Sequence, residues 1–234
     1  MSAVLSMAAL TLFAPQFAAL TPPPWLKSKL LTFFQTSDAV AAKHAEHIAS
    51  DTVQHFMKGT PFASAPDALK LDFVNGAAGQ AVAAWMKWEQ ESLADWKIEK
   101  VVEAAGPDFD AAAAEAELRA LASSADVVLF SFVDCPWCVA ARSLLDERQL
   151  SERTRVVELE DLGRRGKALR AALALATGRT SLPNVFVGGR SVGGFTDGYA
   201  DADPRLCDAT LCDLSADGLK ALDEAGGLSA LPLS

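Results

Sequence analysis

Two cysteines, spaced as Cys135-Pro136-Trp137-Cys138, are the residues of this chain best placed to do chemistry. A thiolate attacks disulfide sulfurs, and a second thiol close by can take part in the exchange. The same pattern occurs in zinc sites, but those need a second ligand pair, and Cys207-x4-Cys212 fits that role poorly. The flanking elements decide how the pair is presented. Residues 127–133 form an apolar run rich in β-branched and aromatic types, which predicts a strand buried on both faces. Residues 139–150 carry Ala140, Ala141, Leu144, Leu145 and Gln149 at helical spacing. The pair therefore sits where a strand hands over to a helix N-terminus. Free amides and the helix dipole there stabilise a thiolate. Pro136 suits the first helical position, where its missing N–H costs nothing.

The elements around this unit follow from periodicity and breakers. Residues 110–121 form an alanine-rich helix. Residues 154–159 predict a second strand, and residues 163–177 a helix stopped by Gly178. Residues 184–187 predict a third strand, Gly188-Gly189 a hairpin turn, and Ser191 and Val192 a fourth strand. A last helix is expected over residues 214–225. The order α-β-α-β-α-β-β-α makes the first two strands parallel and the last two a hairpin. The fold class is α/β, a four-stranded mixed sheet flanked by helices and preceded by an all-helical N-terminal region.

This order resembles the thioredoxin fold, and three spaced motifs resemble glutaredoxins. They are Cys135-Pro136-Trp137-Cys138, then Thr177-Gly178-Arg179-Thr180-Ser181-Leu182-Pro183-Asn184-Val185-Phe186-Val187, then Gly193-Gly194-Phe195-Thr196-Asp197. The likeness covers residues 111–231. It implies glutathione-dependent thiol–disulfide exchange, with Cys135 as the more exposed nucleophile and Cys138 as the resolving thiol. Protein disulfides and glutathionylated proteins would be the substrates, with glutathione as co-substrate. Pro183 matches a cis proline that turns the Leu182 backbone toward the catalytic sulfur. Trp137, Arg179 and Gly194 would also bind glutathione. Thr196 and Asp197 would hold its γ-glutamyl end, and Arg179 its glycyl carboxylate. Proline after the nucleophile resembles members without an iron–sulfur cluster, so neither a cluster nor another metal is expected.

Three positions depart from the family pattern. Phe132 stands where a lysine is usual, and Thr180 where an arginine is usual. Asp134 stands directly before the nucleophile, where a carboxylate opposes thiol ionisation. Two other readings compete: a thioredoxin-like reductase that does not use glutathione, and a non-catalytic interaction module. Cys207 and Cys212 could form a disulfide, a regulatory thiol pair, or two inert thiols.

The rest of the chain is helical in pattern. Residues 38–58 and 76–102 predict two long helices, the second with Val82, Trp85, Trp88, Leu93 and Trp96 along one face. That stripe reads as core. His44, His47 and His55 read as ordinary helix histidines, since neither an HExxH pattern nor a nearby cysteine accompanies them. The expected organisation is a leader over 1–21, a helical region over 22–107 and a glutaredoxin-like domain over 110–232. Residues 1–26 carry no charge, and Phe13-Ala14-Pro15 resembles the cleavage region of plastid-targeting leaders. A plastid or other organelle is thus expected, with the cytoplasm as alternative. Prolines at 15 and 22–24 interrupt that run, so no stable membrane span is expected. The net charge of −9 argues against a nucleic-acid surface, which would want basic clusters, so no nucleic-acid partner is expected.

Overall fold

The computed structural model describes residues 24–50, 57–199 and 207–231. The expected leader and His55 lie outside them. The described residues open with the helices α1 (Pro24–Thr36), α2 (Asp38–Ala49), α3 (Asp67–Asn75) and α4 (Ala77–Ala104). Then come α5 (Ala111–Ala122), β1 (Val127–Ser131), α6 (Pro136–Glu147), β2 (Thr154–Glu158), α7 (Arg164–Thr177), β3 (Asn184–Val187), β4 (Arg190–Gly193) and α8 (Leu219–Glu224). Among the described residues, no helix is long and apolar enough to cross a membrane.

The sheet order is β2-β1-β3-β4. β1 runs parallel to β2, with Val127 opposite Thr154 and Ser131 opposite Glu158. It runs antiparallel to β3, with Val127 opposite Val187. All five β1 residues are buried, as a central strand covered on both faces requires. Alternation sorts its side chains. Val128 and Phe130 join Leu118 and Leu121 of α5 and Leu169 and Leu173 of α7 in one apolar cluster. Val127 and Leu129 join Ala141 and Leu145 of α6 and Leu219 of α8 in the other. Each valine, leucine or phenylalanine side chain among these stabilises the fold by roughly 1.5–3 kcal/mol when fully buried.

Local chemistry sets the element ends. The Asp110 carboxylate accepts the Ala113 N–H at 3.0 Å and caps α5. Gly178 ends α7 in the left-handed region at φ 67°. Several expectations need correction. β1 stops at Ser131, because Val133 N–H turns to Glu160 Oε2 at 2.8 Å and leaves the ladder. The last helix begins only at Leu219, because Asp213 Oδ1 draws in the Ser215 N–H and hydroxyl and holds a turn ahead of it. α2 ends at Ala49, where Ser50 becomes extended. Among the described residues the helical region holds α1 to α4 rather than two long helices, and α4 is interrupted at Leu93 (φ −126°, ψ 16°). The tryptophan stripe is core in part: Trp88 and Leu93 are buried, and Trp96 stacks on Phe34 of α1 at 5.3 Å.

The helical region packs against both sides of the sheet-containing unit. α3 lies along α6, with Val74 in the shared apolar cluster and Phe73 edge-on to Trp137 at 5.7 Å. α4 crosses α7, and Gln90 donates to the Gly178 carbonyl. Lys167 of α7 donates to the carbonyls of His47 and Ser50 at 2.5 Å each.

Candidate active site

Cys135 occupies the N-cap position of α6, with Pro136 in the first turn. Its Sγ lies 3.8 Å from the Leu182 carbonyl oxygen, and the Leu182–Pro183 peptide is cis. The turn before β3 thus brings a backbone carbonyl to the sulfur, the placement that the resemblance to glutaredoxins implies. Cys135 and Cys138 are both free thiols. Cys135 is the more accessible of the two, but only narrowly: 4% exposed against 0%. The surrounding side chains must shift before a disulfide can approach in line.

The two thiols are tuned apart. The Cys138 thiol donates to Cys135 and is the largest influence lowering the Cys135 pKa below its ordinary value. Burial opposes this, while the backbone amides of Cys138 and Trp137 and the Arg142 charge assist. Burial pushes the Cys138 thiol well up. Such a split gives one nucleophile and one proton-bearing partner.

The residues expected to hold a tripeptide fall into two groups. Leu182, Pro183 and half-buried Trp137 flank the sulfur. Gly194, Thr196 and Asp197 lie past β4, joined to Arg179. Arg179 is 5% exposed and pairs with Asp197 Oδ2 at 2.5 Å. It also donates to the Gly198 carbonyl at 3.3 Å and lies over the Tyr199 ring. Its buried Nε has no hydrogen-bond partner among the described residues. So two residues assigned to opposite ends of a ligand here hold each other. Gly194 explains how: a Cβ there would meet Arg179 Nη2 and Asp197 Oδ1, both at 2.8 Å. Gly193 has φ +104°, and its Cβ would stand 2.5 Å from the Gly198 Cα. The bare backbone of this pair serves close approach to the chain itself. Thr196 is exposed.

Three site contacts have no counterpart in the motifs. Asp134, at φ +63°, has one carboxylate oxygen 2.7 Å from Lys70 Nζ and the other 2.7 Å from the Ser64 N–H. Lys70 is 3% exposed and also reaches Asp67 at 3.3 Å. Burial works against its charge, but the hydrogen bonds it donates to Asp134 and Asp67 prevail and raise its pKa. Gln90 of α4 lies 3.4 Å from both the Thr180 N–H and hydroxyl. Asp134 itself is the only signal in the sequence: a carboxylate beside a nucleophile calls for a cation. The remaining cysteines are paired, Cys207 with Cys212, at a Cα–Cα separation of 6.3 Å.

A family model described as Glutaredoxin matches residues 127–192. A glutaredoxin of Ricinus communis is 45% identical over 76 residues, 32% of this chain and 72% of that protein. Glutaredoxin-C2 of Arabidopsis thaliana is 36% identical over 113 residues, 47% of this chain and 87% of the relative. A solved buckwheat glutaredoxin–glutathione complex is 37% identical, covers 36% of this chain and 74% of its own, and superposes with a TM-score of 0.33. The matched residues hold Cys135 and Cys138, the cis proline and the strands that bring them together, so by both sequence and site this chain belongs to the glutaredoxin family.

Proposed function

We propose that the protein is a glutathione-dependent thiol–disulfide oxidoreductase acting on protein disulfides and protein–glutathione mixed disulfides. One observation carries this reading: a free thiol at a helix N-terminus, with its pKa lowered, stands 3.8 Å from the carbonyl before Pro183. The Cys135 thiolate attacks the glutathione sulfur of a mixed disulfide. The S–S bond breaks, and the protein leaves as a thiolate that takes a proton from solvent. Cys135 now carries glutathione. A second glutathione thiolate attacks the glutathione sulfur of that adduct, releasing oxidised glutathione and restoring the Cys135 thiolate. With a protein disulfide, the Cys135 thiolate attacks one of its sulfurs and expels the other as a thiolate. Cys138, giving up its proton, then attacks the Cys135 sulfur, expels the second substrate thiolate and closes an intramolecular disulfide, which two glutathiones reduce as they become oxidised glutathione.

The Leu182 backbone ahead of Pro183 pairs with the tripeptide, and Trp137 walls it. Gly194, Thr196 and Asp197 hold the γ-glutamyl end. Arg179 takes a carboxylate, and its unpartnered Nε favours that role. We include residues 1–21 as a plastid or other organelle leader in this proposal; N-terminal sequencing of the mature protein from its native cell tests it. The mutual pairing of Arg179 and Asp197 favours a second reading, a disulfide reductase served by a protein reductase.

A hydroxyethyl disulfide assay coupled to glutathione separates the two. Turnover with glutathione is expected, with Cys135→Ser losing all of it and Cys138→Ser retaining the single-thiol route. Turnover only with a protein reductase selects the second reading. An active Cys135→Ser variant rejects both.

A further inference from the structure

We propose that Lys70, supplied by the helical N-terminal region, is a positioning residue for Cys135: it cancels the charge of Asp134, the residue directly before the nucleophile. This rests on Cys135 being the nucleophile of the proposed function.

Lys70 is an ammonium with 3% exposure, a costly placement unless a partner repays it. Its nearer partner is Asp134 at 2.7 Å, since Asp67 lies at 3.3 Å and is mostly exposed. Asp134 directly precedes Cys135 and adopts a left-handed conformation that is uncommon for a residue with a side chain. Both of its oxygens are engaged by the helical region, one by Lys70 and one by the Ser64 N–H. On the far side of Cys135, Phe73 packs on Trp137. The same region therefore grips the residues on both sides of Pro136 and fixes the entry to α6.

The electrostatic consequence has a definite sign. An unpaired carboxylate next to a thiol raises its pKa, and a cation on that carboxylate removes the effect. The charged groups around this entry are Asp67 and Lys70 from α3, Asp134 itself, Glu160 on the Val133 amide and Arg142 from α6. Of these groups, Lys70 is the cation that the helical region places on Asp134, the residue directly before the nucleophile.

The test is the rate of Cys135 alkylation by iodoacetamide against pH, read peptide by peptide by mass spectrometry on the full chain. Lys70→Met should slow alkylation at pH 6 by about three- to tenfold, because the thiolate fraction falls tenfold per unit of pKa. Lys70→Arg should keep the wild-type profile. Asp134→Asn should shift the profile the opposite way, to lower pH. The double variant Lys70→Met/Asp134→Asn should return near wild type. Opposite shifts that cancel cannot come from misfolding. A Lys70→Met profile that is unchanged or moves to lower pH overturns the proposal, as does a double variant that behaves like Lys70→Met. Alkylation does not use glutathione. A wild-type profile with no glutathione turnover would instead count against the proposed function.

Discussion

At the scale of single residues, the site is a set of close approaches with little slack. Gly194 shows this best. Its missing Cβ lets Arg179 and Asp197 meet at 2.5 Å beneath the strand end. Gly194→Ala places a methyl 2.8 Å from both side chains, so the buried guanidinium must move off its partner. Overpacking of this kind costs about 1–3 kcal/mol. We expect a lower melting temperature and a KM for glutathione raised several-fold, with kcat less affected. Unchanged melting and unchanged KM would show that the pair bears on neither stability nor binding. Gly194, Pro183 and the two cysteines are legible in the sequence because each type is demanded by a local geometry that few residues satisfy. Lys70 is not. Its role depends on a contact across 64 positions, which no local pattern records.

At the scale of elements, the parts near the cysteines are legible and those before them less so, for a physical reason. β1, α6, α7 and the Gly188-Gly189 hairpin follow period and punctuation. α3 does not. In Asp67–Asn75 the buried residues are Lys70 and Val74, while Leu69 is 47% exposed. A lysine turned inward and a leucine turned outward erase the amphipathic signature that betrays a helix. α2 offers a test of how firmly these helices are held. Half-burial and the nearby charges of Lys167, Arg170 and His44 lower the His47 pKa from 6.5 to about 4. The folded state thus keeps His47 neutral where the unfolded chain binds a proton. Its contribution to stability is present above pH 6.5 and is lost as pH falls from 6.5 toward about 4. The melting temperature should decline over that window, and His47→Gln should flatten the decline. An equal slope in the variant would place the titration elsewhere.

At the scale of the whole molecule, the question is whether the helical region and the glutaredoxin-like part are one cooperative unit. The contacts between them are spread over the surface rather than gathered at a linker. Val74 and Phe73 share the apolar cluster of α6, Gln90 binds the Gly178 and Thr180 backbone, and Lys167 is held by the carbonyls at 47 and 50. Lys70 binds Asp134 at the entry to α6. Separating the two parts would leave Lys70 and Lys167 without these acceptors and expose the α6 face to water. Each of those costs exceeds what a surface ion pair returns. Calorimetry should therefore show one transition, with helical and near-ultraviolet signals lost together. Val74→Ala lies on the shared face, and deleting two buried methyl groups there should lower that single midpoint by several degrees. Two resolved transitions in the wild type, with Val74→Ala moving only one of them, would show that the helices are an appendage and that Cys135 is tuned by the glutaredoxin-like part alone.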